Sequence, residues 1–427
     1  MKKVLYLFVI ILAANSILHS QTDVYLKAYT KTFQRMEIDL YPIRAETGDN
    51  PTVSRMITEV LSNDLWMSGY FKVNIKSGPP PLLAHNSNGS SDEPSSAIAM
   101  IIGKFRIEKG GVTIRPEVLD RASGSAIIRS NYRDRLGNER YLVHKIADDV
   151  VYKLTGERGF ARSKIAFVTQ NKDGDKDIFL MDYDGYQKKQ VTYDKSINIS
   201  PAWSPDGRKI CFTSYKRGNP DLYVINLRTN TEIRLSKVKG LNTAPAWSPD
   251  GKNIALTLSK DGNAEIYILE LDKKSFKRLT FSRAIDSSPS WSPSNREMAF
   301  TSDRSGSPQI YIMDADGLNL RRLTYEGLYN DSPAWSPRGD KIAYVSRTGS
   351  GFDVYTVDVT GENTMRLTYS SKNNENPSWS PNGFALIFSS NRSGKKELYS
   401  MFWDGSDQKK LITSGIGYSP AWSPRVK

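Results

Sequence analysis

One five-residue motif occurs six times between residues 201 and 424 and constrains the fold more than any other feature of the chain. Its pattern is Pro-x-Trp-Ser-Pro, and successive tryptophans are 44, 44, 44, 44 and 43 residues apart. A period of about 40–45 residues is typical of β-propellers, in which each blade is a four-stranded sheet. The motif therefore predicts six blades, one for each of Trp203, Trp247, Trp291, Trp335, Trp379 and Trp422.

Each repeat contains four short segments with strand character. After the motif comes an apolar run such as Lys341–Ser346, then a glycine-containing turn, a second run such as Gln309–Met313, and a short ending such as Arg322–Thr324. Such β-branched and aromatic runs are expected where both faces of a sheet are covered by neighbours. The proline before each tryptophan cannot donate a ladder hydrogen bond, which places that strand at the sheet edge lining a central channel.

The two ends of the repeat region complement each other. Strands predicted at Lys164–Thr169 and Asp177–Met181 have no Pro-x-Trp strand before them, and the final Pro420–Pro424 has no such pair after it. If the last strand joins the first pair, no sheet edge stays exposed between the ends. We therefore predict an all-β six-bladed propeller over residues 164–427, with the C-terminal strand closing the first blade.

The part of the chain before the ring has no repeat and mixes helix and strand patterns. Residues 1–20 combine a basic start, a short apolar run and small residues near a cleavage point, as in a secretory signal peptide. Residues 21–155 predict a small α+β domain with helices near 51–67 and 139–154. Residues 156–163 are predicted to link this domain to the propeller.

Composition excludes several kinds of chemistry. The chain has three histidines and one cysteine, Cys211, so it cannot form an internal disulfide and lacks the ligands of a Cys/His zinc site. We found no hydrolase, phosphate-loop or nucleic-acid-binding motif, and the net charge of +13 is spread out as on a solvated surface. We therefore predict no enzymatic activity, no metal, no cofactor and no nucleic-acid partner. No apolar run is long enough to span a membrane.

The loops that enter the tryptophan strands converge at one mouth of the channel. They carry small polar side chains, which suits a protein partner better than a metal or an apolar cofactor. Such loops can also be nothing more than solvated turns.

The combination of signal peptide, α+β domain and six Trp-Ser-Pro blades resembles the TolB family of the Tol–Pal system. The resemblance extends to Leu154–Gly156 at the domain junction and to Asp182–Tyr186 in the first blade. It implies a non-enzymatic periplasmic protein whose propeller mouth holds the peptidoglycan-associated lipoprotein Pal, and which contacts peptidoglycan only indirectly. It also implies a role in outer-membrane constriction at division and in envelope integrity.

The resemblance places two sets of partner contacts on this chain. The N-terminal segment, which lacks the acidic pattern usual in the family, would contact TolA through Asp23, Val24, Tyr25, Leu26 and Lys27. Leu241 stands where some relatives have histidine. Pal would contact the mouth through Leu241, Asn242, Thr243, Ala244 and Ser287, and through the neighbouring Asn330, Asp331, Asn374 and Glu375.

Two other functions fit a secreted propeller. One is a peptidoglycan- or carbohydrate-binding propeller that uses its channel and its basic surface. The other is the accessory propeller of a peptidase. The closing strand is followed at once by Lys427, so we expect no catalytic domain after it.

Overall fold

The computed structural model describes residues 35–78, 95–349, 351–369, 372–411 and 416–425. The chain divides into two compact units, residues 1–35 and 36–427. The predicted signal peptide and the TolA-contacting residues Asp23–Lys27 lie outside the described residues, as does most of the predicted loop 77–96. In the described part of the chain, no helix is both long and apolar enough to cross a membrane.

The second unit starts with an α+β domain built on a seven-stranded sheet. Its elements are β1 Met36–Leu40, β2 Arg44–Ala45, α1 Pro51–Met67, β3 Phe71–Ile75, β4 Ala99–Glu108, β5 Gly111–Asp120, β6 Ala126–Arg129, β7 Tyr132–Arg135 and α2 Glu139–Thr155. Helix α1 starts with Pro51 after Asn50, whose side chain caps it by accepting a hydrogen bond from the Val53 amide at 3.2 Å. Helix α2 ends at Thr155 and is followed by the capping residue Gly156, which has a left-handed backbone with φ 74°.

Residues 126–135 form two short strands rather than one. Strand β6 pairs with Glu117–Leu119 of β5, and β7 pairs with Gly111–Ile114. The gap between them lies opposite Arg115 and Pro116. Because proline has no N–H for a ladder bond, pairing is interrupted at this point and the strand divides.

The six blades that follow each contain four antiparallel strands. Their strands, from the channel outwards, are as follows: blade 1, Tyr418–Trp422, Lys164–Gln170, Lys176–Asp182 and Lys189–Gln190; blade 2, Asn198–Trp203, Lys209–Ser214, Asp221–Asn226 and Thr231–Ser236; blade 3, Asn242–Trp247, Asn253–Leu258, Glu265–Glu270 and Ser275–Arg278; blade 4, Asp286–Trp291, Glu297–Ser302, Gln309–Asp314 and Arg321–Arg322; blade 5, Asn330–Trp335, Lys341–Thr348, Gly351–Asp358 and Met365–Arg366; blade 6, Asn374–Trp379, Ala385–Ser390, Glu397–Phe402 and Lys409–Lys410.

The predicted closure of the ring is confirmed. The C-terminal strand Tyr418–Trp422 pairs antiparallel with Lys164–Gln170 and becomes the inner strand of blade 1. The all-β six-bladed propeller preceded by an α+β region is therefore the observed architecture. Closure joins the first and last parts of the propeller, so the ring has no exposed sheet edge at that junction.

Apolar layers between neighbouring blades form the core of the ring. The layer between blades 5 and 6 contains Trp379, Phe388 and Tyr399, and similar layers lie between other blades. The Trp379 indole N–H also donates to the carbonyl of Ala334 in the preceding blade at 2.9 Å. The repeated tryptophans therefore join neighbouring blades by packing and, in this case, by a hydrogen bond.

The α+β domain packs against turns at the tryptophan ends of the blades. The Trp66 ring of α1 meets Phe402 edge-on with centroids 5.9 Å apart, and the Trp66 indole N–H donates to Asp407 at 2.8 Å. Asn382 donates its side-chain N–H to the carbonyl of Ser68 at 3.1 Å. These contacts place the described residues of the α+β domain at one end of the channel, and none of them covers the other end.

Candidate partner-binding site at the channel mouth

All six inner strands start at the same end of the channel, which we call the mouth. In every inner strand the residue before the proline has a left-handed backbone, with φ between 41° and 55°. Each of these residues lies in a β-bulge, where pairing with the second strand is interrupted. They are Ser200, Ala244, Ser288, Ser332, Asn376 and Ser419.

These six residues and the prolines after them line a cavity of about 270 Å³ at the mouth. A left-handed backbone costs a residue other than glycine about 1 kcal/mol or more, so the ring must hold all six in place. Among the described residues that line the cavity, none is ionisable. The wall therefore offers backbone groups, hydroxyls and an amide for recognition, rather than groups for acid–base chemistry.

The first residue of the inner strands of blades 2 to 6 is a buried Asn or Asp. Asn242 Nδ2 donates to the carbonyl of Val238 at 2.7 Å, and Asn330 Nδ2 donates to the carbonyl of Glu326, also at 2.7 Å. Asn374 is equally buried. The side chains of Asn242 and Asn330 hold the preceding loops, whereas that of Asn374 donates to Asp353 Oδ1 of blade 5 at 2.8 Å. All three are buried in the ring, and their contact with Pal stays a prediction.

The other predicted contacts lie at the mouth or on its rim. The Asp331 carboxylate accepts a hydrogen bond from the Thr301 hydroxyl at 2.8 Å, and Glu375 forms an ion pair with Lys396. Both acidic groups are therefore partly engaged within the ring. The set that remains partly or fully exposed is Leu241, Thr243, Ala244, Ser287, Asp331 and Glu375.

A set of exposed aromatic residues surrounds the mouth and was not predicted. Each follows an outer strand, on the mouth side of the ring, after the pattern Val-Thr or Leu-Thr. The recurrence of an aromatic residue after Leu-Thr every 44 residues was the signal that could have revealed them. We call these four residues the aromatic collar: Tyr193 (66% exposed), Phe281 (77%), Tyr325 (72%) and Tyr369 (72%).

The most concentrated group of buried charges lies far from the mouth, where helices α1 and α2 meet blade 1. His144 Nδ1 lies 2.7 Å from Asp64 Oδ2, and His144 Nε2 lies 3.6 Å from Asp184 Oδ2. Tyr183 donates its hydroxyl hydrogen to Asp64 Oδ1 at 2.5 Å, and Arg140 Nε donates to Asp184 at 3.1 Å. We call Asp64, His144 and Asp184 the interdomain cluster.

The interdomain cluster is the group of described residues whose geometry could suit a metal, because its three ligand atoms lie within 4.8 Å of one another. However, Tyr183 and Arg140 already bind its carboxylates, and the arginine adds a positive charge beside any ion. Burial lowers the pKa of His144, but the charge and hydrogen bond of Asp64, with the charge of Asp184, outweigh burial and raise it. We therefore interpret the cluster as a protonated imidazole held between two carboxylates.

Comparison with known proteins places this architecture in a family. A family model described as the TolB beta propeller domain matches residues 151–426. The chain belongs to the TolB propeller family. The crystal structure of TolB from Acinetobacter baumannii superposes with a TM-score of 0.76 and 29% identity, covering 92% of this chain and 97% of that one. The similarity therefore includes the α+β domain as well as the ring.

Curated relatives carry the same family name. The Tol-Pal system protein TolB of Geobacter metallireducens is 41% identical over 172 residues, which are 40% of each chain. The protein of that name in Geobacter sulfurreducens is 38% identical over 205 residues, or 47% of each chain. The chain thus matches between two fifths and half of the length of these TolB relatives.

Proposed function

We propose that this chain is a non-enzymatic periplasmic component of the Tol–Pal system, and that it binds the lipoprotein Pal at the mouth of its propeller. Membership of the TolB family and the curated relatives named Tol-Pal system protein TolB support the assignment to the system. In that role the chain supports outer-membrane constriction at division and envelope integrity, and it contacts peptidoglycan through Pal. The predicted TolA contact at Asp23–Lys27 stays a prediction.

The observation that carries the proposal is the mouth itself. Six strained backbone positions, held by a closed ring, present a rigid wall of small groups around a cavity of about 270 Å³. A surface that does not have to reorganise loses little conformational entropy on binding, which favours a specific protein contact. The opposite end of the ring carries the α+β domain, so the mouth is the end open to a partner.

Titration of residues 21–427 with the soluble domain of Pal from the same organism tests the proposal. We expect one-to-one binding in calorimetry. Ala244→Tyr adds a large ring at the mouth, and we expect it to weaken binding at least about tenfold, because a side chain that fills the cavity prevents close approach. Asn319→Tyr is the matched control, since Asn319 also has a left-handed backbone, with φ 51°, but lies exposed on the opposite face.

Each alternative function has its own outcome in this design. Absence of any interaction with Pal at high protein concentration would contradict the proposal. Sedimentation with purified peptidoglycan in the absence of Pal would instead support a direct carbohydrate-binding propeller. Equal weakening by the mouth variant and its control would show that the mouth is not the contact surface.

A further inference from the structure

We propose that the aromatic collar, with the basic loops around it, is the main contact surface for the partner at the mouth, and that the partner presents an acidic face with apolar side chains. This inference rests on the proposed function, because it takes the partner to be the Pal domain. It extends the binding surface beyond the channel opening to the outer rim of the ring.

Three collar residues share one supporting arrangement. An arginine of the outer strand lies below each aromatic ring: Arg278 is 4.8 Å from the Phe281 ring centroid, Arg322 is 4.8 Å from Tyr325, and Arg366 is 5.0 Å from Tyr369. These distances are those of cation–π contacts. Each ring is therefore supported on one side although most of its surface faces solvent.

The arginines are themselves held by the blades. In each case Nε donates to the carbonyl of the threonine two residues later, at 2.8 Å for Arg278, 2.6 Å for Arg322 and 2.9 Å for Arg366. Arg278 also pairs with the buried Glu265 at 2.9 Å, and Arg366 pairs with the buried Asp353 at 2.6 Å. One face of each of these three aromatic rings thus lies against an arginine whose position is set before any partner arrives.

Preorganised, exposed aromatic rings are the kind of group that dominates binding energy at protein interfaces. The exposed rings contribute little to folding because most of their surface stays in water. Further apolar side chains lie on the same face, since Ile285 is 55% exposed and Leu328 is 84% exposed. Together with the collar they form an apolar surface interrupted by polar loops, which suits a protein partner.

The charge of the mouth-side loops indicates the chemistry of that partner. Among the described residues of these loops, the exposed acidic side chains are Asp173, Asp261 and Glu326. The exposed basic side chains there are three times as numerous: Lys172, Lys195, Arg217, Lys237, Lys239, Lys260, Arg283, Lys372 and Lys395. A rim with this excess of positive charge attracts an acidic surface and repels a basic one. We therefore infer that the partner face is acidic.

The first test removes the three collar residues that are supported by an arginine. The triple variant Phe281→Ser, Tyr325→Ser and Tyr369→Ser is expected to weaken binding to the soluble Pal domain by about 100-fold or more, as when several interface anchors are truncated together. The control variant Leu318→Ser with Leu320→Ser also removes exposed apolar side chains, which are 64% and 44% exposed, but on the opposite face. We expect it to bind within about twofold of the unmodified chain. Unchanged thermal unfolding of both variants shows that the ring is intact.

The second test concerns charge. The variant Lys239→Glu with Arg283→Glu is expected to slow association with Pal and to reduce the dependence of affinity on salt, because charges on a rim act mainly on encounter. The control Lys252→Glu with Arg296→Glu makes the same change in net charge at exposed positions on the opposite face. Its association rate is expected to stay close to that of the unmodified chain.

The outcomes separate this inference from the proposed function. Failure of the unmodified chain to bind Pal would overturn both. Binding of Pal with unchanged affinity by the triple collar variant would overturn the inference and leave the proposed function standing, with the contact confined to the channel opening. Affinity for Pal that does not depend on salt would overturn the acidic partner face. A triple variant that still bound Pal with unchanged affinity but no longer sedimented with peptidoglycan would show that the collar binds glycan instead.

Discussion

Removal of the imidazole of His144 is expected to destabilise the chain by about 3–5 kcal/mol, the usual cost of breaking a buried ion pair from one side. The side chains of both His144 and Asp64 are almost completely buried. In His144→Leu the Asp64 carboxylate would keep the Tyr183 hydroxyl as its donor at 2.5 Å but lose its charged partner. Because Asp64 lies on α1 and Tyr183 on blade 1, we expect the substitution to weaken the contact between the α+β domain and the ring.

The same variant makes a prediction about pH. The pKa of His144 is raised in the folded protein, while an unfolded histidine titrates near 6.5. At pH values between these two pKa values, the folded state therefore binds more protons than the unfolded state. The stability that His144 contributes is therefore fully present below about pH 6.5 and is lost as the pH rises through the folded pKa. In His144→Leu this decrease in stability with rising pH is expected to be absent. The charged and titratable groups around the imidazole are Asp64, Arg140, Asp182, Tyr183 and Asp184.

Urea unfolding at several pH values, followed by circular dichroism, measures both effects. The double variant Asp64→Leu with His144→Leu is the control, because it removes the unpaired charge and is expected to recover much of the lost stability. A destabilisation below about 1 kcal/mol in His144→Leu would refute the reasoning on the ion pair. If the free energy of unfolding of His144→Leu depended on pH as it does in the unmodified chain, the interpretation of His144 as a protonated imidazole would be refuted.

Three further predictions concern the ring and its contact with the α+β domain. Gly69→Ala is expected to destabilise the chain by about 1–3 kcal/mol in urea unfolding, because the new Cβ would lie 2.9 Å from Phe384 Cγ at a φ of +84°. Ser288→Gly should stay within about 1 kcal/mol of the unmodified chain while Ser288→Val loses about 2 kcal/mol, since φ is 54° there; equal stabilities would contradict this. Burial raises the pKa of the Cys211 thiol, so a thiol reagent should modify it only after unfolding.

The repeat alone was sufficient to predict the ring. Four strand-like segments every 44 residues cannot bury both faces of a sheet unless neighbouring blades cover them. The first blade had only three predicted strands of its own, so the C-terminal strand was needed to complete its sheet. The prolines before the tryptophans placed the inner strands at the channel because they lack an N–H. These inferences depend on periodicity and local backbone chemistry, which are properties of the sequence itself.

The orientation of side chains at the mouth was decided by the tertiary structure. From the sequence, Asn242 is expected to be a polar loop residue. In the structure its side chain points inward and donates a hydrogen bond to the carbonyl of Val238. The aromatic ring of Phe281 would be expected inside a core, yet it is 77% exposed, with Arg278 4.8 Å from its ring centroid. Loop direction and the exposure that results depend on contacts between strands, which a pattern of residue types does not specify.

The interdomain cluster shows the same limit over a longer range. Asp64, His144 and Asp184 are separated by 80 and 40 residues along the chain and lie on two helices and a blade turn. No local pattern links them, and His144 is predictable only as a residue of the last helix before the ring. The sequence by itself therefore determined the repeat, the blades and their closure, because these follow from local hydrogen bonding and periodic burial. Only the tertiary structure decided which charges meet and which rings face solvent, because those depend on how helices and blades pack.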